Sequence, residues 1–147
     1  MPAIIPNLWF DDNGLEAAEF YVSLFPNSKI VNVFHYGENA PKPAGEVMVV
    51  DFELDGQPHS IINGGPQFHF DEAISLLVDC KDQDEIDHYW AALSAVPDAE
   101  ACGWCKDRFG VSWQVVPAGL DLLQQRPEQI QALMHMKKIL IAELEIA

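Results

Sequence analysis

Two stretches of the chain carry the same amphipathic pattern at a fixed separation, and this repetition limits the fold more than any other feature. Ala17, Phe20, Tyr21 and Leu24 recur at i, i+3, i+4 and i+7, one face of a helix. Ile86, Tyr89, Trp90 and Leu93 repeat the pattern 69 residues later. An apolar strand precedes each helix, at residues 4–10 and 73–79, and these superpose at an offset of 68, so that Phe10-Asp11 lies on Val78-Asp79 and Asn7 on Ser75. A single insertion accounts for the difference. The chain is therefore read as two copies of one strand-led unit.

The first copy continues with strands at residues 29–36, 46–54 and 58–63, the last two joined by Asp55-Gly56, a hairpin-turn pair. A loop with two prolines, residues 37–45, separates the first two of these strands. Residues 63–70, with Asn63-Gly64-Gly65-Pro66, are too short a linker to part independent domains. Asp82 is placed to cap the second helix. The second copy is shorter: residues 99–104, 105–107 and 111–117 supply its remaining strands, with Gly110 closing a hairpin over the polar turn 106–108. Along the last strand Ser112, Gln114 and Val116 face one way and Val111, Trp113 and Val115 the other. From Leu120 the pattern is helical, with a restart at Pro127 and with Ile130, Leu133, Met134 and Lys137 on one face. The organisation expected is one domain over 1–147, with a module at 1–66, a second at 71–117 and a helical tail at 118–147. The apolar chain end is expected to dock, on its own subunit or on a partner.

A chain of 147 residues buries roughly two thirds of its unfolded surface and folds without staples. No apolar run approaches the roughly 18 residues of a membrane helix, and the first residues lack the basic start and apolar core of a signal peptide. A cytoplasmic protein is expected. With 23 acidic against 8 basic residues and a formal charge of -15, neither nucleic acid nor an anionic membrane suits the surface. The three cysteines are an odd number, which fits reduced thiols. Cys102 and Cys105 have the spacing of a zinc or redox pair, but no second pair completes a zinc site and no cation-flanked helix follows to activate them.

Leu-Trp-Phe-Asp at 8–11, Ala-Ala-Glu-Phe-Tyr at 17–21, Leu-Phe-Pro-Asn-Ser at 24–28, Asn-Gly-Gly-Pro at 63–66 and the run from Cys-Gly-Trp to Trp-Gln-Val-Val-Pro at 102–117 resemble the PhnB-like proteins. These are also called 3-demethylubiquinone-9 3-methyltransferase-like domains, within the glyoxalase, bleomycin-resistance and extradiol-dioxygenase (vicinal oxygen chelate) superfamily. The resemblance spans nearly the whole chain. It implies an α+β fold of two βαβββ modules whose curved mixed sheets form an open half-barrel cavity, with C-terminal helices added, in a homodimer. The methyltransferase label does not carry over as chemistry, because Asp11-Asp12-Asn13-Gly14-Leu15 follows the first strand where a Gly-rich cofactor loop would stand.

Metal-dependent members of the superfamily hold a divalent ion with His, Gln or Glu from the first and last strands of each module. By the repeat, the inward positions here are Ile5, Asn7 and Trp9, with Ala73, Ser75 and Leu77 as counterparts, while Asn63 ends the fourth strand and Gln114 stands in the place of the last-strand Glu. Amides, a hydroxyl and hydrocarbon make a poor cage for such an ion, so no metal and no cofactor is expected. The same residues suit a small organic ligand: Trp9, Ile61 and Leu77 for apolar surface, and Asn7, Asn63, Ser75 and Gln114 for orientation. Trp104 and Trp113 read as core aromatics, and Lys106, Asp107 and Arg108 as a charged hairpin tip. Among the five histidines, His59 is the candidate acid or base, because a regular strand puts it on one face with Ile61 and Asn63. The functional reading is a metal-free binder of a small organic molecule. The alternatives are an enzyme acting on a quinone-like or carbonyl substrate and a structural dimer without ligand.

Overall fold

The computed structural model describes residues 2–147. These form two compact units, one ending at His69 and the other beginning at Phe70. In the first, β1 (Asn7–Phe10) leads into α1 (Gly14–Leu24), followed by β2 (Lys29–His35), β3 (Val47–Leu54) and β4 (Gln57–Asn63). The sheet order is β1-β4-β3-β2, with β1 parallel to β4 and the other pairs antiparallel. Asp55 and Gly56, both with positive φ (48° and 75°), make the tight turn between β3 and β4, as the sequence pair predicts. α1 covers one face of this sheet, burying Gly14, Ala17, Ala18 and Tyr21 against a layer that includes Leu8, Phe10, Val50, Phe52 and Ile61.

The second unit repeats the plan in shorter form. β5 (Leu76–Cys80) leads into α2 (Gln83–Leu93), and β6 (Trp104–Lys106) and β7 (Ser112–Pro117) complete a three-stranded sheet of order β5-β7-β6. Its first strand is again parallel to its last. Asp82 caps α2 by accepting a 3.0 Å bond from the Glu85 amide, and Ile86 and Leu93 are the helix residues fully buried. The strand expected at 99–104 is not formed. A 3-10 turn (Pro97–Ala99) and an isolated bridge between Ala101 and Trp104 stand in its place. Cys102 and Gly103, expected within strands, are the two central residues of a tight turn, with φ of 53° and 86°. A side chain at Gly103 would also meet Ile139 Cδ1 at 2.7 Å and the Val115 carbonyl at 3.0 Å, so the turn is held against the tail as well as bent.

The tail docks on its own unit. The amides of Cys102 and Gly103 donate to Met136 and Lys137 carbonyls at 2.7 and 2.8 Å. The Gln83 side chain bonds the Ile139 carbonyl (3.0 Å) and the Ile141 amide (2.9 Å). Met136, Ile139 and Leu144 close over Val116. α3 (Leu120–Leu123), α4 (Pro127–Met134) and α5 (Ile141–Ile146) frame this cluster. The face expected on α4 is buried only in part: Leu133 packs against this cluster, but Ile130 and Met134 are exposed, and Gln129 is buried instead. The reason is polar, since the Gln129 amide spans the Arg126 amide and the Leu144 carbonyl, each at 3.2 Å.

Candidate functional site: the open sheet faces

Each helix covers one face of its sheet, so the opposite face is where a ligand surface can form. Residues directly paired across neighbouring strands point to the same side. In the first unit Asn7 pairs with Ser60 and Trp9 with Ile62, while Asp51 and Val49 pair with Ser60 and Ile62 in turn. This set, extended by Asn32 and Phe34 on β2, is the open face. The alternate set, Leu8, Phe10, Ile61 and Asn63, is buried under α1.

Of the expected site residues in this unit, Asn7 and Trp9 therefore lie on the open face, and Ile61 and Asn63 do not. Asn63 serves the fold. Its Oδ1 accepts from the Gly14 amide at 2.8 Å and its Nδ2 donates to the Asp12 and Val47 carbonyls at 3.2 Å each. It thus does the capping that Asn13 does not do for α1. His59 belongs to the same covered face, stacked on Phe52 at 5.4 Å with Nδ1 2.9 Å from the Gln57 carbonyl. Trp9 is fixed in place: its indole donates to the Gly65 carbonyl at 3.0 Å and meets Phe68 edge-on at 4.9 Å. A Cβ at Gly64 would lie 2.3 Å from that ring, which is why the glycine pair follows Asn63.

In the second unit the three expected residues do share the open face. Leu77 pairs with Gln114, and Gln114 Nε2 donates to Ser75 Oγ at 2.9 Å. Leu77 is 58% exposed. Trp113 points the other way and is buried. Its indole donates to Asp107 Oδ2 at 2.8 Å, and Asp107 Oδ1 takes the amides of Phe109 and Val111 at 2.9 and 3.0 Å. Asp107 is thus a buried clamp for the hairpin, 1% exposed, and not part of a charged tip.

The open face of this sheet also carries Trp104 and Lys106, paired with Gln114 and Ser112. Beside them is a cavity of about 380 Å3 lined by Glu72, Ala99, Ala101, Trp104, Lys106 and Ser112, among others. None of these stood among the expected site residues. Ser112 was within reach of sequence reasoning, since alternation puts it on the face of Gln114. The turn at Cys102-Gly103, not legible in the sequence, is what brings Trp104 to the face of Gln114 instead of the core.

Among the described residues no three His, Cys, Asp or Glu side chains converge on a metal-binding geometry. At the positions where metal-dependent relatives of this fold place their donors, Gln114 is a carboxamide already bonded to a serine hydroxyl, and Leu77 and Trp9 offer no lone pair of use. These residues do not fit a divalent ion. Nor are the buried thiols nucleophiles. Burial first, then the nearby carboxylates of Glu85, Asp79 and Asp82, pushes Cys80 up to about 12. Burial followed by Asp107 and Glu100 does the same for Cys105, also to about 12.

Paired βαβββ-type units with the first strand parallel to the last define the glyoxalase-like, vicinal oxygen chelate class. Within it the chain belongs to the family described as 3-demethylubiquinone-9 3-methyltransferase, whose model matches residues 2–116. A PhnB protein from Bacillus cereus is 35% identical with a TM-score of 0.68, over 80% of this chain and 100% of that one. Protein PA1353 from Pseudomonas aeruginosa shares the fold at 21% identity and TM-score 0.60, covering 80% of this chain and 98% of its own. The fosfomycin resistance protein FosX from Listeria monocytogenes does so at 12% identity and TM-score 0.52, covering 82% and 96%. No curated protein matches the chain. Among the described residues no helix is long and apolar enough to cross a membrane.

Proposed function

We propose that the protein binds a small organic molecule on the open face of a sheet without a metal ion. The observation that carries this is the Ser75–Gln114 pair beside Leu77. At the last-strand position a hydrogen-bonded carboxamide stands next to an apolar side chain that is 58% exposed. Exposed hydrocarbon bordered by oriented amides is a surface for ligands that are mostly apolar with one or two polar atoms. Trp9, with its ring held by Gly65 and Phe68, gives the first unit a rigid flat surface of the same character. Burial of Cys80 and Cys105 as free thiols supports a reducing compartment, the cytoplasm. An acid-base role for His59 draws no support from its place, half-buried and stacked on Phe52 with its Nδ1 against the Gln57 carbonyl.

Native mass spectrometry of protein purified without chelator tests this reading, because it reports retained organic ligand, metal and subunit number together. The expected result is a protein mass, alone or with an organic adduct, that does not change on chelation. A stoichiometric divalent ion that chelator removes would refute it.

A further inference from the structure

The cavity beside β6 exists because the second unit lacks a fourth strand. In the first unit β2 runs along the outer edge of β3. Along the same edge of β6 there is only the 3-10 turn and the single bridge at Ala101. The space left is about 380 Å3, at the lower end of the roughly 300–1,000 Å3 of small-molecule pockets.

One polar atom in the wall is out of keeping with a merely loose edge. Ser112 is 2% exposed, and its hydroxyl, shielded from solvent, has no hydrogen-bond partner among the described residues. Buried hydroxyls are nearly always bonded, because an unmade bond there costs free energy. The first unit shows the ordinary solution. Ser60 on β4 pairs with Asn7, the counterpart of Ser75, as Ser112 stands one residue before the Leu76–Trp113 pair, level with Ser75; Ser60 donates to its cross-strand neighbour Asp51 at 3.0 Å. The neighbour of Ser112 is Lys106. That ammonium turns instead to Glu72 at 2.5 Å.

Resting on the ligand-binding reading above, we infer that the cavity walled by Trp104, Ala99, Ala101 and Lys106 is a binding site in which Ser112 donates its hydroxyl hydrogen to an oxygen of the ligand. The ligand class follows from the walls. They are mainly apolar, so the body of the molecule is apolar. Lys106 is already neutralised by Glu72, so the molecule is uncharged. The hydroxyl needs an acceptor, so it carries a carbonyl or similar oxygen. Because the hydroxyl is closed to solvent, entry requires a wall side chain to move. The Lys106–Glu72 pair, with Glu72 60% exposed, is the part that moves at least cost, since ion pairs of this kind are weak.

Acetophenone and its hydrocarbon isostere α-methylstyrene are suitable probes, titrated into isotopically labelled protein while backbone amide shifts are followed. Acetophenone is expected to shift Trp104, Lys106 and Ser112, with α-methylstyrene about five- to tenfold weaker, the loss of one hydrogen bond. Ser112→Ala should weaken acetophenone by that factor, leave α-methylstyrene unchanged and so erase the preference. Ala99→Trp, which fills the cavity, should abolish both sets of shifts and serves as an independent check. Equal affinities in the unaltered protein, or a preference that survives Ser112→Ala, would overturn the assignment of Ser112. Shifts confined to Leu77 and Gln114 would overturn the cavity while leaving ligand binding at the open face intact. Absence of shifts on either sheet would overturn both.

Discussion

The two units solve the same construction problem at one rung in opposite ways. On β4 the Ser60 hydroxyl meets Asp51 across the strand pair and is satisfied. On β7 Ser112 faces Lys106, whose ammonium donates to Glu72 instead, and the Ser112 hydroxyl is left unbonded. The first sheet has a fourth strand along β3, and the second has an open flank with a cavity in it. A duplicated architecture thus satisfies this hydroxyl in one copy and leaves it an unused hydrogen-bonding group beside an unfilled sheet edge in the other. Under the ligand site proposed above, the second copy gives up some stability where function would sit.

The largest effects should come from the buried polar clamps, and they test whether the two copies are independently tied. Asp107→Ala strands the Trp113 indole and two backbone amides and should cost about 3–5 kcal/mol in denaturant unfolding. Asn63→Ala removes the cap of α1 along with two carbonyl partners and should cost about 2–4 kcal/mol. Near-zero values for either would mean that the copies are held by packing alone. Ser60→Ala, which deprives Asp51 of its donor, should be milder at about 1 kcal/mol.

Smaller effects separate the surfaces of the second unit. Because Cys80 and Cys105 are buried with thiols pushed up to about 12, a thiol reagent at pH 8 should label Cys102 alone in the native protein and all three on denaturation. Rapid native labelling of Cys80 or Cys105 would contradict the closed core. At the tail, the Lys138 ammonium and then the Gln83 amide hold the Asp87 carboxyl below its ordinary value. Its folded value is the lower one, so its support is present above the usual carboxylate range and lost as pH falls through the lowered value. Protection factors at residues 139–146, that is exchange rates corrected for the intrinsic slowing of exchange in acid, should fall slightly on acidification to that point, and Asp87→Asn should flatten the response.

Much of this plan could be read from residue order. The helix repeat, the Asp55-Gly56 turn, the Asp82 cap and the alternation of β7 follow from local rules, and local rules held. Where reading failed, a tertiary partner decided. Alternation along β4 divides its residues into two sets but does not say which set the helix covers, so sequence alone allows Ile61, Asn63 and His59 on the open side. Only the parallel pairing of Phe10 with Asn63 settles that. Cys102 has positive φ, rare outside glycine and not signalled by its neighbours, so the short turn and the lost strand were missed together. Asp107 between Lys106 and Arg108 looks solvated until Trp113 is seen to reach it.

The most direct test of the contrast between the copies is to measure unfolding free energies of Ser60→Ala and Ser112→Ala side by side. Opposite signs are expected: Ser60→Ala loses about 1 kcal/mol, and Ser112→Ala, relieved of an unbonded hydroxyl, gains about 1 kcal/mol. If both lose stability by similar amounts, Ser112 has a partner within the fold, and the hydroxyl is not held in reserve for a ligand.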